Sequence, residues 1–99
     1  MKKKILITRK LLRSNEERAN KLWEAKLNLN DELYSPKKII ELSEGFDGIL
    51  SSITDKIDKE VIDRLPSSIK IISNFAVGFG NIDLDAAKKR GIVVTNTPD

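Results

Sequence analysis

An α/β domain on a flavodoxin-like, parallel five-stranded sheet with helices on both faces is the fold class this sequence predicts. Three observations carry that reading. Short runs of Ile, Leu and Val recur between charged residues, as strands buried on both faces do. Segments rich in helix formers separate those runs, and the links between them are short. Strand and helix therefore alternate five times or nearly so, with right-handed crossovers and the strand order 2-1-3-4-5 as the natural arrangement.

Lys4 to Thr8 (K-I-L-I-T) reads as the first strand. Leu11 to Ala25 reads as a helix with Leu12, Ala19, Leu22 and Trp23 on one face, and Ser14 with Glu17 matches a capping box. Lys26 to Asn30 alternates with period two, as an outer strand would. Pro36 sits at the first turn of a short helix from Lys37 to Ser43 that stops before Gly45. Phe46 to Ser51 is the next strand, Asp58 to Leu65 a helix stopped by Pro66, and Ile69 to Ser73 the strand after it. Asp83 or Asp85 opens a helix from Leu84 to Arg90, which Gly91 closes in the left-handed conformation. Ile92 to Thr95 is the last strand, and no helical segment follows it. The expected fold thus lacks a C-terminal closing helix, with one face of that strand uncovered.

The 99 residues allow one domain. Charged residues reach 33% and the apolar fraction is 39%, a composition that fits a small core under a heavily solvated surface. The net charge of +3 is far from a nucleic-acid footprint. Lys2-Lys3-Lys4 reads as a solvated terminus, and Lys88-Lys89-Arg90 as the solvated last turn of a helix whose dipole favours cations. Cysteine and histidine are both absent, which excludes thiol nucleophiles, thiolate zinc sites and an imidazole base within these residues. No apolar run is long enough to span a membrane and no secretory signal pattern stands at the start, so the expected partners include neither nucleic acid nor membrane and the expected compartment is the cytoplasm.

In an open parallel sheet, ligands collect at the carboxyl ends of the strands. The richest of these ends is Ser73 to Gly80, where Gly78 and Gly80 precede a helix and allow backbone N–H groups to converge on an anion. The same glycines also read as a plain tight turn. Neither G-x-G-x-x-G nor G-x-x-x-x-G-K-[ST] occurs, and the turn after the first strand, Thr8-Arg9-Lys10-Leu11-Leu12, contains no glycine. Ser51, Ser52 and Thr54 offer hydroxyls to a small polar ligand or to nearby backbone. Arg9 is placed either to face a carboxylate or simply at the surface. Asp47 and Asp55 are acid–base candidates in principle only, and Trp23 and Phe46 read as packing residues. No catalytic constellation and no metal site emerge.

The chain resembles the D-isomer-specific 2-hydroxyacid dehydrogenases, closest to the glyoxylate and hydroxypyruvate reductases. The matching runs are K-I-L-I-T-R from Lys4, D-G-I-L-S-S-I-T-D-K-I-D-K-E-V-I-D from Asp47, I-K-I-I-S-N-F-A-V-G-F-G-N-I-D from Ile69, and A-A-K-K-R-G-I-V-V-T-N-T-P ending at Pro98. The resemblance implies that residues 1–95 form part of the N-terminal substrate-binding domain and 96–99 the start of a hinge to an NAD(P)-binding Rossmann domain that these residues lack. It implies that the backbone N–H groups of Val77 and Gly78 bind the carboxylate of a small 2-oxo or 2-hydroxy acid. It also implies that Ser52, where close reductases usually carry leucine, approaches the substrate. Where relatives often have aspartate before N-I-D, this chain has Gly80.

By the same resemblance the intact enzyme transfers a hydride between NADH or NADPH and glyoxylate or hydroxypyruvate. The fragment alone is expected to be inactive, to bind no cofactor, to hold no catalytic residue, and to be monomeric where intact relatives are homodimeric. The alternative is a non-catalytic flavodoxin-like binding or structural module. A flavin site would want a Ser/Thr/Gly-rich turn after the first strand, and a receiver domain would want acidic residues at the ends of the first and third. Thr8 and Ser51-Ser52 stand there instead.

Overall fold

In a computed structural model, residues 3–9, 13–28, 30–52, 55–75 and 80–96 are described. Nine elements alternate in order: β1 (Lys4–Ile7), α1 (Arg13–Leu22), β2 (Glu24–Lys26), α2 (Pro36–Leu42), β3 (Gly48–Ser52), α3 (Lys59–Arg64), β4 (Ile71–Phe75), α4 (Leu84–Lys89) and β5 (Val93–Asn96). The five strands form one all-parallel sheet in the order β2-β1-β3-β4-β5. This is the arrangement the alternating pattern predicts.

The helices start where cap chemistry places them. Ser35, Asp58 and Asp83 have extended backbones, and each side chain accepts the N–H three residues on, which satisfies one of the donors a helix start leaves open. Gly91 ends the last helix with φ 71°, as expected of a left-handed terminus.

Two elements differ most from the sequence reading, while β3 and β4 end one and two residues later than expected. The first helix runs from Arg13 to Leu22, so Ser14 lies in its first turn and does not cap it. The second strand is Glu24–Lys26, earlier than the alternating Lys26–Asn30, because those three residues pair in register with Lys4, Ile5 and Leu6. Asn28 is then freed from strand pairing. Its buried amide donates to the carbonyls of Thr8 (2.8 Å) and Glu32 (2.7 Å), bracing the following turn against the end of β1.

Strand order and right-handed crossovers determine which helix covers which face. The step from β1 to β2 runs one way along the sheet, and every later step runs the other way. Thus α1 lies on one face and α2, α3 and α4 on the opposite one. The larger core forms under these three helices, from Ile39, Ile49, Val61, Ile62, Ile72, Ala86 and Ala87 among others. Removing such isoleucine side chains from water contributes roughly 1.5–3 kcal/mol each. On the other face Trp23, directly after α1, packs with Ile5, Ile7 and Leu50. Beyond that cluster no described helix covers β4 and β5, and Ile71 and Val93 remain 37% and 58% exposed. The uncovered face expected for the last strand is therefore present, and it extends to β4. A pocket of about 320 Å³ opens on this side toward the amino ends of the strands, lined by Lys3, Ile5, Trp23, Asp47, Lys70 and Ile71.

Arg90 is not the solvated residue its basic run suggests. Lys88 and Lys89 are exposed, but Arg90 is half-buried, and its Nη1 donates to the carbonyls of Ile62 (2.6 Å) and Leu65 (2.8 Å) at the end of α3. A cation thus closes a helix terminus belonging to another element, where orphan carbonyls and the dipole both favour it. Arg90→Ala is expected to lower stability by about 1.5–3 kcal/mol, read as a drop in thermal midpoint, with Arg90→Lys recovering only part because its shorter side chain carries a more strongly hydrated ammonium.

Candidate functional site

The strand order reverses between β1 and β3, and in open parallel sheets the crevice at the carboxyl side of that point is where ligands bind. Side chains two apart along a strand share a face. On the face under α2–α4, one row across the sheet is Leu6, Ile49 and Ile72. The next row, at the carboxyl ends, is Thr8, Ser51 and Asn74. These three are as buried as the isoleucines, at 0%, 1% and 0% exposure. The core thus changes from apolar to polar within one step along the strands. Buried polar groups are tolerated only when hydrogen-bonded, and these form a connected network.

Ser51 Oγ donates to Asn74 Oδ1 (3.0 Å), and Asn74 Nδ2 donates to Asn81 Oδ1 (2.9 Å). Asn81 Nδ2 in turn reaches the carbonyls of Ser52 (2.9 Å) and Asp55 (2.8 Å). Asp55, only 2% exposed, accepts at Oδ2 from Thr8 Oγ1 and from the Ser52 N–H (2.9 Å). A two-residue ladder reinforces the arrangement, with Ile57 and Ile82 paired in parallel and the Ile57 N–H donating to the Asn81 carbonyl (2.8 Å). The result ties the ends of β1, β3 and β4 to the start of α4.

Of the three residues expected to meet substrate, Ser52 is the last residue of β3 and is half-buried at this crevice. Its N–H and carbonyl are both engaged in the network, and its hydroxyl lies 3.5 Å from Asp55 Oδ2. Val77 and Gly78 lie outside the described residues, as does Thr54. The segment that carries them is bracketed by Asn74 and Asn81, which hydrogen-bond each other.

Arg9 emerges at the same edge and faces Asp31. Its Nε and Nη2 meet the two carboxylate oxygens at 2.7 and 3.0 Å, and the Asp31 hydrogen bond pushes the guanidinium above its usual range. Asp31 reaches it from a left-handed conformation, φ 51°, which aspartate tolerates better than most residues. Asp47 sits at the opposite edge and accepts from the Lys4 N–H (2.8 Å), as its position before the third strand implied. The sequence offers Asp55 as an acid–base candidate in principle and more simply as the start of a turn. It does close a turn onto Ser52, and its place in this network is what the sequence does not reveal. One signal was available: α3 has its own cap in Asp58, so a second aspartate three residues earlier is not needed to start that helix.

Gly80 is exposed, and a Cβ there would meet nothing within 4 Å. Gly80→Asp, which restores the residue common before N-I-D, is therefore expected to leave the thermal midpoint unchanged or raise stability by about 0.4–1 kcal/mol through the unfolded state. Among the described residues no group of three or more metal-ligating side chains gathers, and no helix is long and apolar enough to cross a membrane.

Comparison with known proteins agrees with the fold. Residues 5–99 match the family described as D-isomer specific 2-hydroxyacid dehydrogenase, catalytic domain. A glycerate dehydrogenase of Hyphomicrobium methylovorum is 42% identical over 97 residues, covering 98% of this chain and 30% of that protein. A glyoxylate reductase of Thermococcus litoralis is 38% identical over 98 residues, covering 99% of this chain and 29% of its own length. A solved structure from Polaromonas sp., described as a D-isomer specific 2-hydroxyacid dehydrogenase, superposes with a TM-score of 0.93 at 29% identity, over 100% of this chain and 31% of that one. The chain spans about 30% of the length of the curated relatives it matches.

Proposed function

Because the chain belongs to the D-isomer specific 2-hydroxyacid dehydrogenase family, we propose that it supplies the substrate-carboxylate side of an enzyme that reduces a small 2-oxo acid, glyoxylate or hydroxypyruvate. The observation that carries this reading is the buried polar row at the switch point, joined to both ends of the segment that contains Val77 and Gly78. In this proposal the Val77 and Gly78 N–H groups hold the carboxylate. Ser52 lines the same crevice from β3, with residues 1–95 acting as the substrate-binding domain and 96–99 beginning a crossing to a cofactor domain.

The residues present do not fit a nicotinamide dinucleotide. The turn after β1 contains no glycine, and the arginine in it is locked onto Asp31. The hydride donor, NADH or NADPH, is therefore assigned to residues outside these 99, together with the proton donor. What this chain contributes is binding and orientation. Donors fixed at the crevice hold the carboxylate so that the 2-oxo carbon faces the open side. We assign the chain to the cytoplasm and expect it to be monomeric by itself.

A ¹⁵N-HSQC titration of the chain with glyoxylate, then hydroxypyruvate, tests the reading without any cofactor. Localised, saturable shifts at Val77, Gly78 and Ser52 are expected. A well-dispersed spectrum that ignores millimolar ligand would instead favour a non-catalytic module of the same fold.

A further inference from the structure

Three groups of observations converge on one residue that the proposed carboxylate site does not include. Asp55 Oδ2 gathers the Thr8 hydroxyl at the end of β1 and the Ser52 N–H at the end of β3. The Asp55 N–H returns to the Ser52 carbonyl (3.0 Å), closing a tight turn, while the Asp55 carbonyl receives Asn81 Nδ2 (2.8 Å). Asn81 also holds Asn74, so the positions on either side of residues 76–79 are fixed to each other and, through Asp55, to β1 and β3.

The chemistry argues that this is more than packing. A carboxylate removed from water is costly unless strong donors replace the water. Among the described residues Oδ2 accepts the hydrogen bonds made to this side chain, whereas Oδ1 is buried with no partner. A neutral amide would fill the same space and avoid burying a charge. What the carboxylate adds is the greater strength of charge-assisted bonds to the Thr8 hydroxyl and the Ser52 N–H. Nor is Asp55 required as a helix cap, since Asp58 accepts the Val61 N–H at 3.1 Å.

We propose that Asp55 is the positioning residue of the carboxylate site, fixing the ends of the segment that carries Val77 and Gly78 to the carboxyl ends of β1 and β3. The proposal rests on the reading of Val77 and Gly78 as carboxylate donors, and the experiment separates the two. Amide hydrogen exchange is measured by NMR on the 99-residue chain as wild type, Asp55→Ala, Asp55→Asn and Thr8→Val. In Asp55→Ala, exchange at the Ile57 and Asp83 amides, which hydrogen-bond around Asn81, is expected to accelerate about tenfold or more. Ile49 and Ile72 keep their protection, and the glyoxylate concentration needed to shift Val77 and Gly78 is expected to rise about tenfold. Asp55→Asn, whose amide oxygen can accept the same hydrogen bonds without the charge that strengthens them, should recover only part of the wild-type protection. Thr8→Val, which removes a single donor, should give a smaller acceleration at the same amides.

Should Asp55→Ala fail to fold, Asp55→Asn and Thr8→Val carry the comparison. Equal acceleration throughout the sheet, none at Ile57 and Asp83, or an unchanged glyoxylate affinity overturns the proposal and leaves Asp55 a structural residue. A glyoxylate titration of the wild type reports on the carboxylate reading alone: no shift at Val77 and Gly78 removes that reading, and the exchange rates at Ile57 and Asp83 still decide the role of Asp55.

Discussion

Gly48→Ala is expected to destabilise the chain by about 1–3 kcal/mol, and Gly48→Val by more, to the edge of unfolding at room temperature for a domain this small. Gly48 stands in register between Ile5 on β1 and Ile71 on β4. A Cβ at that point would lie 2.7 Å from Ile71 Cγ2, 3.0 Å from Ile5 Cδ1 and 3.1 Å from the Ile71 carbonyl oxygen. Ile5 Cδ1 is the end of a flexible side chain and can swing aside. The Ile71 carbonyl belongs to the backbone and cannot, so the added methyl has to displace β4. Each kcal/mol lost should lower the thermal midpoint by about 4–8 °C.

A double variant isolates the cause. Ile71 is partly exposed on the open face, so Ile71→Ala alone should cost little. Combined with Gly48→Ala it removes the closest contact, and the pair should be less destabilised than the sum of the singles by about 0.5 kcal/mol or more. An unchanged midpoint for Gly48→Ala would show that β3 and β4 have room to separate there. The consequence reaches the crevice, because four residues further along the same pair of strands Ser52 lies opposite Phe75.

What the sequence made legible follows from how local each cause is. Ser35, Asp58 and Asp83 cap helices through contacts three residues away, and a cap residue before a helical run is visible in one dimension. The sheet order was legible because alternation and handedness leave few topologies. The second strand was misplaced because its extent depends on pairing with Lys4 to Leu6, about twenty residues distant, and the alternation of K-L-N-L-N carries no record of that partner. Arg90 was read as solvated for the same reason, since the carbonyls it closes belong to Ile62 and Leu65. At the candidate site, Ser52 was singled out through the family resemblance, and it lies at the end of β3, one residue beyond the strand the apolar run suggests. The place of Asp55 was not legible, because its meaning comes from Thr8, forty-seven positions earlier, and from Asn81, twenty-six later.

The polar row under the crevice makes the sharpest stability prediction. Asn74 is fully buried, and its amide group sits between the Ser51 hydroxyl and Asn81. Asn74→Leu has nearly the same size and is more apolar, so burial of area alone would predict a gain. The opposite is expected, a loss of about 2–4 kcal/mol, because the buried Ser51 hydroxyl loses its acceptor and the half-buried Asn81 loses a donor. Removing both members of a buried pair is far less harmful than removing one. Ser51→Ala introduced into Asn74→Leu should therefore restore part of the lost stability, whereas in the wild type the same change should be destabilising. Chemical denaturation of the four proteins, with midpoints compared at constant slope, measures the coupling directly. A Ser51→Ala effect of the same sign and size in both backgrounds would mean that the row is not energetically connected. The β3 and β4 ends would then be held without help from the Ser51–Asn74 pair, leaving Thr8 and Asp55 to set the shape of the crevice above it.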